Sequence, residues 1–179
     1  MAKRLVLCCD GTWNTAGQRC PTNVVRLFND IAPRDTAGVE QEPYYHEGVG
    51  NKLGERIRGG AFGFGLSGIV KDAYRKVVDN YEAGDELFLF GFSRGAFTAR
   101  STAGLIRNAG ILRPDQKNRV DEAYALYRND DGPDSAQAVA FRKAYAVSDQ
   151  TPIRFIGVWD TVGALGVPNV GLPGTNFLN

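Results

Sequence analysis

The fold is decided by a ten-residue stretch, LFLFGFSRGA, at positions 87–96. Its first half is an apolar run typical of a buried strand, and helix-forming residues follow its second half. Between the two, Ser93 stands in a G-x-S-x-G motif, in which Gly91 and Gly95 let a strand and a helix approach closely around a strained turn. A strand, sharp turn and helix are the context in which a serine becomes a nucleophile. The stretch therefore predicts Ser93 as a catalytic nucleophile.

The bulk composition is that of an ordinary globular protein and excludes some classes of partner. The 179 residues carry a formal net charge of +1, which gives no basic surface for nucleic acid. We therefore expect no nucleic-acid partner. Cys8, Cys9 and Cys20 show no pairing logic, so we expect reduced thiols in a cytoplasmic fold. The sequence contains no apolar stretch near the ~20 residues needed to span a bilayer, and its first residues do not resemble a signal peptide.

Apolar runs alternate with helical periodicity along the chain, which predicts an α/β fold with a parallel sheet. The predicted strands cover residues 4–9, 41–45, 86–90 and 153–159. The predicted helices between them cover residues 22–32, 69–81 and 96–109. Two further amphipathic helices, at 120–128 and 135–146, suggest a helical insertion near 111–151 in a single domain of residues 1–179.

Three polar residues fall at carboxyl ends of predicted strands, where ligands bind in parallel sheets. They are Asp10, Ser93 and Asp160. Asp160 follows the serine in the order of hydrolase triads and is the candidate acid, although it could instead cap the turn after its strand. The N–H of Arg94 is one candidate oxyanion donor. The second candidate is Gly11 or Thr12, and Gly11 could equally be a plain turn glycine.

The catalytic base is the difficulty. His46 is the only histidine and precedes the serine, whereas serine hydrolases of this fold take their histidine from a loop after the acid. We therefore favour a loop or aromatic-packing role for His46. Either the chain is a fragment whose histidine lies beyond Asn179, or it is inactive as it stands. The loop-like ending, rich in Gly, Pro and Asn, favours a fragment.

Two other motifs point to different functions with less support. Residues 63–68 fit G-x-G-x-x-G, but no strand directly precedes them, so a nucleotide site is disfavoured. We predict a flexible binding loop over 48–68 instead. The triplet after the first strand, Asp10-Gly11-Thr12, resembles haloacid-dehalogenase-like phosphatases, but Cys8 stands where their nucleophilic aspartate is needed. The sequence gives no metal-ligand cluster, and we predict neither a metal nor a cofactor.

Four ordered motifs carry a family resemblance across nearly the whole chain. They are CDGTWN at 9–14, GVG at 48–50, GFSRGA at 91–96 and GVWDTVG at 157–163. The set resembles the DUF2235 family, the α/β-hydrolase domain related to the Tle1 phospholipase effectors of type VI secretion. The resemblance implies an α/β-hydrolase-like three-layer fold with a mostly parallel sheet, here C-terminally incomplete. It also implies Ser93 as nucleophile, Asp160 as its acid partner, and a histidine from a more C-terminal segment.

The function implied is that of a serine ester hydrolase, lipase-like or phospholipase-like, acting through an acyl-serine intermediate. The alternative is a non-catalytic or truncated hydrolase-fold module that binds a partner. The resemblance further implies a lipid or other ester substrate and transient membrane contact. For an effector it also implies a partner in the secretion apparatus and export without a cleavable signal.

Overall fold

The structure is a computed structural model that describes residues 2–12, 14–48 and 62–162. In these ranges four strands alternate with helices. The strands are β1 (Arg4–Cys9), β2 (Gln41–His46), β3 (Glu86–Phe92) and β4 (Ile153–Trp159). The helices are α1 (Asn23–Asp30), α2 (Phe62–Asn80), α3 (Arg94–Ala109), α4 (Val120–Tyr127) and α5 (Ala136–Tyr145).

The four strands form one parallel sheet in the order β2-β1-β3-β4. The predicted α/β class and parallel sheet are confirmed. Because all strands run the same way, their carboxyl ends meet at one edge. β1, β3 and β4 end there, at Cys9, Phe92 and Trp159. The residues that follow these three strands are the ones singled out by the sequence.

One face of the sheet packs against α2 and α3. Alternate residues of β1 and β3 point to this face because side chains on a strand alternate between its two sides. Leu5, Leu7, Leu87 and Leu89 are at most 1% exposed and share one apolar cluster with α2 and α3. This cluster is the larger part of the core and holds the two helices firmly against the sheet.

The opposite face carries α1. Thr22 caps this helix by accepting a hydrogen bond from the Val25 N–H at 3.1 Å. Val24 is fully buried against Val6 and Cys8 of β1. Trp159 of β4 packs against this cluster, whereas Phe155 of the same strand is 51% exposed.

The remaining helices extend the α2–α3 side. A 3-10 helix, Pro114–Arg119, precedes α4 and has no counterpart in the sequence prediction. Both α4 and α5 pack against α3, and Ala123 and Phe141 join the larger apolar cluster. The elements of the predicted insertion thus share the main core on this side. Their assignment as an insertion remains a prediction.

The clearest difference from the sequence prediction concerns the glycine-rich stretch. Residues 62–68 form the first turns of α2, which begins at Phe62 and not at residue 69. Glycine has a low helix propensity, but Leu66 is buried and Ser67 Oγ accepts a hydrogen bond from the Tyr124 hydroxyl at 3.1 Å. Tertiary packing therefore overrides local propensity. The prediction of a flexible loop is wrong for 62–68, and its remaining part, 49–61, lies outside the described residues.

Candidate active site

The turn between β3 and α3 holds Ser93 in a backbone conformation that L-residues rarely adopt. Its φ is 55° and its ψ −120°, a conformation that costs about 1–3 kcal/mol for a residue with a side chain. Ser93 occupies the N-cap position of α3, yet its side chain makes no capping hydrogen bond. The hydroxyl is therefore not committed to the helix. Backbone strain of this kind is concentrated at functional sites.

The two glycines of the motif are required by close packing around this turn. A Cβ on Gly91 would lie 2.4 Å from the carbonyl oxygen of Gly95. A Cβ on Gly95 would lie 2.2 Å from the carbonyl oxygen of Cys9 and 2.5 Å from that of Asp10. Any side chain at position 95 would push α3 away from the end of β1. The G-x-S-x-G pattern is thus explained by backbone contacts on both sides of Ser93.

Asp160 lies beside this turn, directly after the neighbouring strand β4. Phe92 and Trp159 are register partners at the ends of β3 and β4. The Ser93 N–H donates to the Trp159 carbonyl at 3.0 Å, and the Val162 N–H donates to the Ser93 carbonyl at 3.3 Å. The backbone of Ser93 is therefore bracketed by the segment that contains Asp160. Among the described residues, these two are the non-glycine positions with positive φ, and Asp160 has φ 47°.

The N-terminus of α3 places partial positive charge next to Ser93. Arg94 is the first residue of this helix of 16 residues. The first N–H groups of a helix have no intrahelical partner, and the helix dipole adds partial positive charge there. An anion forming at Ser93 would lie at this end. Burial lowers the pKa of the Arg94 guanidinium, although a guanidinium stays charged at neutral pH.

The loop after β1 lies next to the serine turn and differs between its two candidate donors. The Gly11 N–H already donates to the carboxylate of Asp10 at 2.7 Å. Within residues 2–12, 14–48 and 62–162, the Thr12 N–H has no hydrogen-bond acceptor. The Thr12 Oγ1 is buried and also has no partner in this part of the chain. Of the two predicted donors, Thr12 is the one whose N–H has no acceptor among the described residues.

His46 lies at the same edge but on another strand. The sequence analysis favoured a loop or aromatic-packing role for His46. In the structure it is the last residue of β2 and not part of a loop. β1 lies between β2 and β3, so the backbones of β2 and β3 are separated by roughly 10 Å, two strand spacings. Its Nδ1 is 2.9 Å from the carbonyl oxygen of Glu47. The structure does not bring the backbone of His46 next to Ser93.

Asp10 has a role that the sequence analysis did not assign. Its side chain is buried at the end of β1. Besides the Gly11 N–H, it accepts hydrogen bonds from the hydroxyls of Thr22 and Tyr45, each at 2.7 Å. Burial and the hydrogen bond to Asp10 raise the pKa of Tyr45, which keeps that hydroxyl protonated. An aspartate directly after a buried strand and before a glycine was the available signal, but its partners are distant in sequence.

Other reactive groups of the chain are less suited to catalysis. All three cysteines are free thiols. Burial raises the pKa of Cys8 to about 12 and also raises that of Cys9, so both stay protonated at neutral pH. Within the described ranges, no group of three or more His, Cys, Asp or Glu side chains could hold a metal ion. No helix in the same ranges combines the length and apolar character needed to span a membrane.

Comparison with known proteins identifies a family and a relative of this chain. A family model described as "T6SS, Phospholipase effector Tle1-like, catalytic domain" matches residues 3–176. The chain is also similar to "Uncharacterized protein YEL023C" of Saccharomyces cerevisiae (strain ATCC 204508 / S288c), with 30% identity over 189 aligned residues. That alignment covers 92% of the chain and 27% of the yeast protein, so the chain spans about a quarter of this relative's length. No solved structure matched the chain.

Proposed function

Because the chain belongs to the Tle1-like catalytic-domain family of type VI secretion phospholipase effectors, we propose that it carries the catalytic centre of a serine ester hydrolase. The family resemblance noted from the four sequence motifs is confirmed by this match. The proposed substrates are lipid esters, with phospholipids first among them. Phospholipid cleavage comes from the description of the family, and the yeast relative adds no activity.

One observation carries the catalytic part of the proposal. Ser93 sits at a strained turn between β3 and α3, and its N–H is bonded to the residue directly before Asp160. A nucleophilic serine must present an uncommitted hydroxyl at the end of its strand, beside a helix N-terminus. Ser93 meets each of these conditions, since its side chain makes no capping hydrogen bond.

The proposed reaction proceeds in two steps. In the first, Ser93 Oγ attacks the acyl carbon, a base accepts the hydroxyl proton, and the ester C–O bond breaks to release the alcohol with that proton. In the second, water attacks the acyl-serine, and the carboxylic acid leaves as Ser93 regains its proton. The N–H groups of Arg94 and Thr12 are proposed to stabilise the oxyanion of each tetrahedral intermediate. Gly11 is set aside as a donor because its N–H is bonded to Asp10.

The proposed acid–base pair is Asp160 with a histidine that is not among these 179 residues. Asp160 is exposed at the edge next to the serine turn, where a histidine carried by another segment could reach both groups. His46 is the only histidine of the chain, and its strand is separated from that of Ser93 by β1. We therefore assign His46 no role in proton transfer.

The family also frames the proposed cellular setting. A lipid substrate requires transient contact with a membrane surface, and membership of an effector family suggests a partner in the secretion apparatus. We propose that the protein is made in the cytoplasm and exported through that apparatus. Neither a cofactor nor a metal takes part in the proposed reaction.

A second candidate function is a non-catalytic module that keeps the hydrolase fold and binds a partner. The position of His46 favours this candidate, because the chain holds no other histidine to act as the base. Ester hydrolysis by the full-length natural protein separates the two. Short-chain and long-chain p-nitrophenyl esters and phosphatidylethanolamine vesicles are the substrates to test, with Ser93→Ala as the control.

The catalytic proposal expects turnover that disappears in Ser93→Ala. Activity on short esters but not on vesicles would retain the serine hydrolase and exclude the phospholipase. A folded full-length protein with no activity on any of these substrates would favour the binding module.

A further inference from the structure

The carboxylate of Asp10 joins three segments at the catalytic edge of the sheet. The side chain is 3% exposed, and its two oxygens receive three hydrogen bonds. Oδ1 accepts from the Gly11 N–H at 2.7 Å. Oδ2 accepts from the hydroxyls of Thr22 and Tyr45, each at 2.7 Å. The end of β1, the N-terminus of α1 and the end of β2 are thereby fixed to one another.

A carboxylate can accept all three of these hydrogen bonds. Three donors converge on two oxygens, and an ionised carboxylate offers acceptors only. An amide at position 10 could keep the bond from the Gly11 N–H only if its NH₂ group faced the two hydroxyls, which would then have to accept hydrogen bonds and no longer donate them. Buried carboxylates are usually paired with a cation, but none of the ion pairs among the described residues includes Asp10. Within the described residues, hydrogen-bond donors and no cation contact this carboxylate.

The loop that Asp10 holds is also confined on its other sides. A Cβ on Gly48 would lie 1.5 Å from the carbonyl oxygen of Gly11 and 2.9 Å from the Thr12 nitrogen. A Cβ on Gly11 would lie 2.8 Å from Cδ1 of Phe92, the residue before the serine. The Gly11–Thr12 peptide therefore has little room to move. The hydrogen bond from the Gly11 N–H to Asp10 fixes the preceding Asp10–Gly11 peptide, to which the confined peptide is directly joined.

The loop and the serine turn are in direct contact. Gly95 lies against the carbonyl oxygens of Cys9 and Asp10, at distances that leave no space for a Cβ. A change at position 10 is therefore transmitted to both sides of the oxyanion site. The side chain of Thr12 does not anchor the loop, because its buried hydroxyl has no partner in the described part of the chain.

We propose that Asp10 is a positioning residue for ester hydrolysis, which orients the Gly11–Thr12 peptide so that the Thr12 N–H serves as an oxyanion donor at Ser93. The inference rests on the proposed function and adds a residue to that site. Asp10 itself does not touch the substrate. It accepts the hydrogen bond of the Gly11 N–H and thereby positions the Gly11–Thr12 peptide that follows.

The test compares Asp10→Asn with a matched variant at the opposite edge of the sheet. Asp85 is also buried, and it also accepts three hydrogen bonds, from the N–H and Nζ of Lys3 and from the Glu82 N–H. Both variants replace a carboxylate by an amide of the same shape. kcat and KM for a soluble ester, the rate of fluorophosphonate labelling and the Tm are measured on the full-length protein.

We expect Asp10→Asn to lower kcat by about 10²-fold, the loss typical of removing one oxyanion donor, with KM changed less than about threefold. Asp85→Asn should lower Tm without a comparable change in kcat. Tyr45→Phe removes one of the three bonds to Asp10 and should lower kcat by a smaller factor of about 3 to 10. This milder variant serves if Asp10→Asn does not fold.

Three results would overturn the inference. The first is a kcat within threefold of wild type in Asp10→Asn, or in Tyr45→Phe where only that variant folds. The second is an equal loss of kcat in Asp85→Asn, which would make the effect one of general stability. The third is a wild-type protein that neither turns over esters nor reacts with fluorophosphonate. That result would overturn the proposed function as well, whereas the first two leave it intact.

Discussion

The amino edge and the carboxyl edge of the sheet both contain buried aspartates, but these aspartates have different partners. At the amino edge, Lys3 pairs with Asp85 at 2.7 Å, and Arg4 pairs with Asp35 at 2.6 Å and Glu86 at 2.9 Å. At the carboxyl edge, none of the described ion pairs includes Asp10, and two residues have positive φ. In the part of the chain that the structure describes, the amino edge pairs its charges, whereas the carboxyl edge holds a carboxylate outside these ion pairs and a strained backbone.

The amino edge stabilises the fold, whereas the backbone strain at the carboxyl edge costs stability. Burial alone would raise the pKa of Asp85, but hydrogen bonds and the charge of Lys3 outweigh burial and hold that pKa below its usual value. This pair stabilises the fold at neutral pH. Ser93 and Asp160, with φ of 55° and 47°, each cost about 1–3 kcal/mol of backbone strain. Such strain persists where it serves a function, and the following variants test that distinction.

The largest effect is expected from Ser93→Gly. Activity on esters should fall by about 10⁴-fold or more, because the nucleophile is lost. The free energy of unfolding should rise by about 1 kcal/mol, because glycine adopts φ 55° without steric cost. Ester kinetics and urea denaturation measure the two effects. A variant that loses stability as well as activity would contradict the assignment of strain to this position.

Asp160→Asn should lower kcat by about 10³- to 10⁴-fold, as expected when the acid of a triad is replaced by an amide. Asparagine tolerates positive φ, and Asp160 is exposed. The free energy of unfolding should therefore change by less than about 0.5 kcal/mol. Kinetics of a soluble ester and chemical denaturation are the measurements. Full activity in this variant would reduce Asp160 to a turn residue.

Gly95→Ala should lower the free energy of unfolding by roughly 3 kcal/mol or more, the size expected of a backbone clash in the core. The added Cβ would meet the Cys9 carbonyl oxygen at 2.2 Å. Gly68→Ala is the matched control, since a Cβ there meets nothing within 4 Å and the position lies inside α2. That control should gain roughly 0.5–1 kcal/mol. Equal stability of the two variants in thermal unfolding would contradict the packing around Ser93.

The smallest effect is expected at the amino edge. Asp85→Asn should lower the free energy of unfolding by about 2 kcal/mol at pH 7, because Lys3 loses the charge of the buried carboxylate with which it pairs. Since the pKa of Asp85 is lowered in the folded state, its contribution is present above the unfolded pKa of about 3.9. It is lost as the pH falls through the folded value. Urea denaturation at pH 7 and pH 3 should therefore show a difference between wild type and variant that narrows at low pH.

Most helices and strands could be predicted from the local sequence, whereas the candidate site could be predicted only in part. The apolar runs of β1 and β4 predicted both strands with the bounds found in the structure. α2 was predicted to begin seven residues late, because glycines at its start are poor helix formers and only packing by Leu66 reveals the helix. Local patterns report local preference, and the start of α2 depends on tertiary contact.

The candidate site shows the same limit. Ser93 and Asp160 could be predicted because each directly follows a strand. The hydrogen bonds from Thr22 and Tyr45 to Asp10 could not, since these residues are 12 and 35 positions away. The bond that occupies the Gly11 N–H also depends on a side-chain contact that no motif records. The sequence predicts which residues lie at the carboxyl edge of the sheet. Which of them form hydrogen bonds with one another depends on the tertiary structure.

The most direct test of the central claim is the site at which a fluorophosphonate reacts with the full-length natural protein. Peptide mapping by mass spectrometry locates the adduct, with Ser93→Ala as the control. We predict one adduct, on Ser93, that is absent from the variant. A folded protein that forms no adduct, or forms it elsewhere, would contradict the claim that the carboxyl edge of the sheet is a catalytic site.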